Sequence, residues 1–291
     1  SEAITLYGWY TALVYLSCIP GGIIGDKYLT NEKSVLWGGA MLCLGHFSLA
    51  FQNELLFFIG LSLIIIGVGL LKPNISTLVG HLYKDNDVKK DQGFTIFYIG
   101  INIGAFLASI IVGYIGEFFG WHYGFSLAGL GMLIGQISFF FGKKKISLNL
   151  QEPHQKKTSS LNINQKKLSH IELDRIKLII ISSLVLIIFW ASFEQAGGLL
   201  NIYAFEKTDR LISFLNFEVP ASWFQSINPF LIIIFGYSVS AFWIFLQKKN
   251  IISTSIFKIA IGIIIMGCGF IFMTFASIES DTFGKSSMYW L

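Results

Sequence analysis

The stretch Leu61–Gly80, "LSLIIIGVGLLKPNISTLVG", is hydrocarbon-like almost throughout, yet Lys72, Pro73 and Asn74 follow one another inside it. About 20 apolar residues in a helix cross the roughly 30 Å of a bilayer core. An ammonium at that depth costs about 2.5–3.5 kcal/mol on insertion scales and normally faces a bundle interior or a water-filled cavity. Lys72 does not reach water easily from the nearer end, because about seven residues, or roughly 10 Å, separate it from Gly80. Pro73 has no N–H to offer the carbonyl of Gly69, which permits a kink. A buried cation beside a helix-loosening proline reads as a ligand site; snorkelling or a structural ion pair is the alternative.

Outward from this segment the same pattern repeats. The chain has 291 residues, of which 54% are hydrophobic and 13% charged, and its mean hydropathy is +0.65. Soluble domains carry about twice that share of charge. Eight apolar runs stand out: Ile4–Gly25, Ser34–Phe51, Leu55–Val79, Gly93–Ile115, Trp121–Phe141, Ile176–Leu200, Trp223–Leu246 and Ile256–Ser277. None alternates with period two, so the expected fold is all-α, an integral membrane protein of spanning helices. The lipid bilayer is therefore its first partner.

Basic residues orient the spans. With the first run ending on the cytoplasmic side, seventeen of the 21 Lys and Arg residues fall inside, Lys207, Arg210 and Lys285 fall outside, and Lys72 lies in the membrane. That bias is the positive-inside pattern. The net charge of +4 thus reports topology and implies no nucleic-acid partner. The longest polar segment, Lys143 to Lys177, divides five spans from three. The expected domains are a helix bundle over 1–142, a cytoplasmic linker over 143–175 and an incomplete second bundle over 176–291. "LSHIELDRIK", Leu168–Lys177, is expected to form a short surface helix. Ser1 in place of Met, a first span that starts outside, and "GKSSMYWL" at the end, which reads like the opening of another span, lead to the expectation of a fragment of a larger permease. Cys18, Cys43 and Cys268 lie in apolar runs without metal or disulfide spacing and are expected to be small buried hydrophobes. No motif calls for a cofactor or a metal.

The remaining polar residues at depth carry the functional reading. In "FWASFEQAGGLLN", Trp190, Glu194, Gly197 and Asn201 have i, i+4, i+7, i+11 spacing, which on one continuous helix shares a face. Glu194 there serves as a proton carrier or as half of a charge pair that breaks and re-forms; a static interhelical bond is the alternative. Asn102 lies between Gly100 and Gly104, where small residues allow close approach. Asn228-Pro229 repeats the pairing of a polar residue with a proline. His46 is read as a satisfied interhelical histidine. An intramembrane enzyme would need a nucleophile–base pair or two carboxylates at depth, and the runs contain neither.

"GFTIFYIGINIGAF", Gly93–Phe106, closely resembles the signature of the proton-dependent oligopeptide transporters, a branch of the major facilitator superfamily. "LVYLSCIPGGIIGDKYL", Leu13–Leu29, resembles that family's second-helix segment. "FWASFEQAGGLLN" and "PASWFQSINPF" resemble its seventh and eighth helices. The match runs in order over nearly the whole chain. It implies a major facilitator helical bundle with eight of twelve helices present, helices two to six in the first bundle and seven to nine with the start of ten in the second. Thr30 stands where the family usually has glycine, and Gly8 where mammalian relatives carry a histidine. The resemblance further implies proton-coupled uptake of di- and tripeptides by alternating access, in a monomer of the bacterial inner membrane. By it Lys72 binds the peptide carboxylate and takes part in proton coupling, Tyr15, Asn102 and Trp190 line the pocket, Asn228 lies near the peptide amino end, and Glu194 belongs to the outer gate. A permease for another small zwitterion or anion, such as nitrate or a metabolite, is the alternative.

Overall fold

A computed structural model describes residues 2–83, 89–149, 169–249 and 255–291. The chain divides into two compact units, Ser1–Lys156 and Lys157–Leu291.

In the first unit the helices are α1 (Glu2–Lys27), α2 (Asn31–Leu49), α3 (Glu54–His81), α4 (Lys89–Leu107), α5 (Gly113–Phe119) and α6 (Trp121–Asn149), with a π-helical turn over Ala108–Val112 between α4 and α5. Their starts are set by local chemistry. Thr30 caps α2 by accepting the Lys33 N–H, and Asn53 caps α3 by accepting the Leu56 N–H at 3.1 Å, each meeting an amide that the helix itself leaves unpaired. Between α5 and α6, Gly120 has φ +116°, a conformation open in practice to glycine alone.

α3 is the centre of this unit, packed against α1 and α2, while α6 packs on α2. The α2–α3 contact rests on two reciprocal glycine pairs. A Cβ on Gly38 would come within 2.7 Å of the Gly67 carbonyl oxygen and one on Gly67 within 2.8 Å of the Gly38 carbonyl oxygen; Gly45 and Gly60 oppose each other in the same way seven residues along. In lipid, where apolar surface gives helices little reason to associate, such close backbone approach supplies the packing energy. Leu42 and Ile64, between the pairs, cluster with Leu49 beyond Gly45.

The second unit comprises α7 (His170–Phe193), α8 (Leu199–Lys207), α9 (Ile227–Lys248) and α10 (Ser255–Phe283), with 3₁₀ turns at Glu194–Ala196, Ala221–Ser226 and Met288–Trp290. Four two-residue strands cap one end: β1 (Thr208–Asp209), β2 (Leu211–Ile212), β3 (Phe217–Glu218) and β4 (Ser286–Ser287). β1 pairs in parallel with β4, and β2 with β3 as a hairpin. Thr208 and Ser286 are buried, and the Tyr203 hydroxyl donates to Ser286 Oγ at 3.0 Å. Arg210, 8% exposed, forms an ion pair with Glu218 at 2.8 Å and donates to the Val219 carbonyl at 2.6 Å.

Seven helical segments among the described residues are long and apolar enough to cross a membrane: 2–27, 54–81, 92–119, 121–143, 170–207, 221–246 and 256–283. The remaining expected span, Ser34–Phe51, is helical as α2 but less apolar, because its 19 residues include Glu32, Lys33 and four glycines or alanines in the middle. Three expectations need correction. "LSHIELDRIK" is not a separate surface helix: from His170 it is the opening of α7, started by a capping box in which Ser169 and Glu172 exchange hydrogen bonds. The polar stretch from Lys143 is helical as far as Asn149, since α6 runs on beyond its apolar part; residues 150–168 of the expected linker lie outside the described residues. Cys43 is buried, but Cys18 is half-buried and Cys268 is exposed on α10. The sequence end forms β4 and a 3₁₀ turn, with Ser286 paired to Thr208.

Candidate substrate site

The proline at 73 fixes what surrounds Lys72. α3 continues through it from Glu54 to His81, and the Gly69 carbonyl that loses its donor faces α1, where a Cβ on Gly21 would collide with it. Two polar side chains tie the same face. Ser17 Oγ lies 2.8 Å from the Val14 carbonyl and 2.9 Å from the Ile65 carbonyl of α3. Asn74, 2% exposed, spends both amide hydrogens on carbonyls, Leu70 at 2.7 Å and Gly21 at 3.1 Å. With α1 and α3 held this closely, Lys72 and Tyr15 meet on the neighbouring, open face.

The Lys72 Nζ sits 4.7 Å from the centroid of the Tyr15 ring. Among the described residues of the first unit no carboxylate lies within ion-pair distance of it. An aromatic face attracts an ammonium by about 0.5–2 kcal/mol, more as water is excluded. The ring thus holds the cation without neutralising it, and the charge stays available to an anionic group that arrives.

Of the other residues singled out in the sequence, one belongs to the first unit and three to the second. Asn102, on α4, is 7% exposed and donates to the Tyr98 carbonyl of its own helix at 2.9 Å. A Cβ at Gly100 or Gly104 would meet nothing within 4 Å, so within the first unit these glycines admit no neighbouring helix. Trp190, Glu194 and Asn228 belong to the second unit. Trp190 packs edge-on to Phe189 and Phe193, with centroids at 5.6 and 5.4 Å. Glu194 opens the 3₁₀ turn after α7, and Asn228 is exposed in the first turn of α9, ahead of buried Pro229.

The shared face of Trp190, Glu194, Gly197 and Asn201 is corrected by this geometry. α7 ends at Phe193, the backbone leaves helical angles at Gly198 (φ −104°, ψ −98°), and Asn201 belongs to α8. Helical spacing therefore fails beyond Glu194. Ser17 carries no signal in the sequence, where Asn74 figures only as a neighbour of Lys72 and Arg210 only as an external charge. The proline beside Asn74 was the available signal for it: a freed carbonyl at Gly69 brings α1 near, and the adjacent amide bonds across. Among the described residues no cluster of three or more His, Cys, Asp or Glu could hold a metal ion.

A family model described as POT family matches residues 32–158 and 145–291. The chain belongs to this family. It is 34% identical, over 95% of its own length and 65% of the relative's, to the uncharacterized transporter YclF of Bacillus subtilis (strain 168). It is 31% identical, with the same two coverages, to the peptide transporter YePEPT of Yersinia enterocolitica subsp. palearctica serotype O:3 (strain YE-P4). The crystal structure of a peptide transporter POT in complex with sulfate superposes with a TM-score of 0.78 at 29% identity, over the whole chain and 69% of that structure. The chain thus spans about two thirds of the length of the curated relatives it matches.

Proposed function

We propose that the protein takes up di- and tripeptides together with protons by alternating access, as a monomer in the bacterial inner membrane. The observation that carries this reading is the Lys72–Tyr15 pair: a cation at membrane depth, held by an aromatic face and unpaired with any described carboxylate of the first unit. Membership of the POT family, with a peptide transporter among the relatives, supports the same substrate class. A zwitterionic peptide needs a cation for its carboxylate, and a charge-assisted bond in a site shielded from water is worth roughly twice a neutral one. In this reading Lys72 binds the carboxylate and responds to the proton, Tyr15 and Asn102 line the pocket, and, in the second unit, Trp190 forms an aromatic wall, Asn228 meets the amino end and Glu194 acts in gating. Alternating access then moves one half of the carrier against the other around the substrate.

Uptake of labelled dialanine into proteoliposomes holding the full-length protein, driven by an imposed proton gradient, tests this. Saturable uptake is expected in the wild type and loss of at least about tenfold in Lys72→Ala, since a charge-assisted hydrogen bond contributes about 1.5–3 kcal/mol. Wild-type rates in the variant would make Lys72 structural. Uptake of nitrate but of no peptide would move the protein to the alternative substrate class.

A further inference from the structure

We propose a binding site for an anionic phospholipid on the outside of the first unit, between α2 and α6. An open cavity of about 460 Å³ lies there, lined by Leu36, Gln136, Ile137, Phe140 and Phe141. The only polar side chain of the lining is turned to protein: the Gln136 amide donates to the Leu36 carbonyl, and it lies against Gly39, where a Cβ would collide with it. What remains facing outward is carbon, on two helices of a membrane-spanning protein. An alkyl chain is the ligand such a wall suits.

The charge at one end decides which lipid. α2 and α6 run antiparallel, since Gly39 meets Gln136 while Phe47 meets Gly129. Going back along α2 to Lys33 therefore goes forward along α6 to Lys143, and both lysines flank the same end of the groove. The Lys143 Nζ lies 4.4 Å from the centroid of Phe140, a residue of the groove wall. Lys33 is exposed in the first turn of α2, three residues before Leu36. Glu32 is the one carboxylate in that turn of α2. A groove of carbon leading to the ammonium groups of Lys33 and Lys143 matches an acyl chain leading to a phosphate. Basic residues beside membrane helices favour anionic headgroups.

Native mass spectrometry of the full-length protein, titrated with phosphatidylglycerol and with phosphatidylcholine of the same acyl chains, tests this site. Phosphatidylglycerol is expected to bind more tightly by about tenfold or more. The double variant Lys33→Gln/Lys143→Gln is expected to lose that preference, Lys33→Arg/Lys143→Arg to keep it, and Ile137→Trp, which fills the groove, to weaken both lipids. Equal binding of the two lipids by the wild type, an unchanged preference in the Gln variant, or its loss in the Arg variant would overturn the proposal. A photo-crosslinker at Phe141 is expected to capture lipid; capture of another segment of the same polypeptide, or of a second copy, would show that protein covers the groove.

Discussion

Lys72 is expensive where it stands, and its surroundings offset only part of the expense. Against about 2.5–3.5 kcal/mol for an ammonium in the membrane, the Tyr15 face returns about 0.5–2 kcal/mol. The ring does this through its π system and not its hydroxyl, which separates two variants. Tyr15→Leu is expected to lower the substrate-free melting temperature further than Tyr15→Phe does, by roughly 2 °C or more, as read by thermal unfolding in detergent. Equal melting of the two would mean that the ring holds nothing. Asn74 plays the opposite part, since both of its donors are used inside the protein. Asn74→Leu strips Gly21 and Leu70 of these bonds and forces a branched side chain against Gly25, whose Cβ position the amide already fills. A loss of about 1–3 kcal/mol is expected, seen as earlier unfolding. Lys72 is legible in sequence because a cation in an apolar run is costly wherever it folds, whereas Tyr15 enters only through the family resemblance. The turn of the Asn102 amide back to Tyr98 is not legible, since an asparagine in a helix has its own carbonyls as competitors.

Helices were readable here because each needs only a local run of apolar residues. Their interruptions depend on single backbone positions. The boundary between the fourth and fifth runs fell near Gly120, whose conformation stops α5 and lets α6 begin. Gly120→Ala places a side chain at φ +116° and against the His122 ring, within 2.8 Å. Such a conformation costs of order 1–3 kcal/mol, so the variant is expected to unfold several degrees earlier; an unchanged melting curve would show that this turn is free to rearrange. The break at Gly197-Gly198 had no comparable signal, because paired glycines in a span equally mark close helix packing. The pairing of β1 with β4 was beyond sequence reading altogether: it joins Thr208 to Ser286, and each partner strand is two residues long. Arg210 was counted only as an external charge, whereas the hairpin buries it against Glu218 and Phe205. Without Glu218 the Arg210 guanidinium keeps the Val219 carbonyl and the Phe205 ring but loses its counter-charge. Glu218→Ala is therefore expected to open the 208–220 segment to protease, with cleavage there faster than in the wild type.

For the molecule as a whole, each helical end has a side of the membrane to choose, and the distribution of charge makes the choice. Seventeen basic residues fall on one side under a single assignment of the spans, and three on the other. Reversal would carry all seventeen across, which insertion opposes. The assignment puts the cap of β1 to β4 outside the cell, with the hairpin tip Ser213–Asn216 exposed, and Lys249, just after α9, inside. Arg210 on the outer side does not weaken the bias, because its charge is met by Glu218. Replacing Cys18, Cys43 and Cys268 by alanine leaves a background for single cysteines at Ser213 and Lys249. A membrane-impermeant maleimide added to intact cells is expected to label Ser213→Cys and to leave Lys249→Cys unmodified until the membrane is permeabilised. Labelling of Lys249→Cys alone in intact cells would invert the topology, and with it would place the basic end of the α2–α6 groove in the outer leaflet.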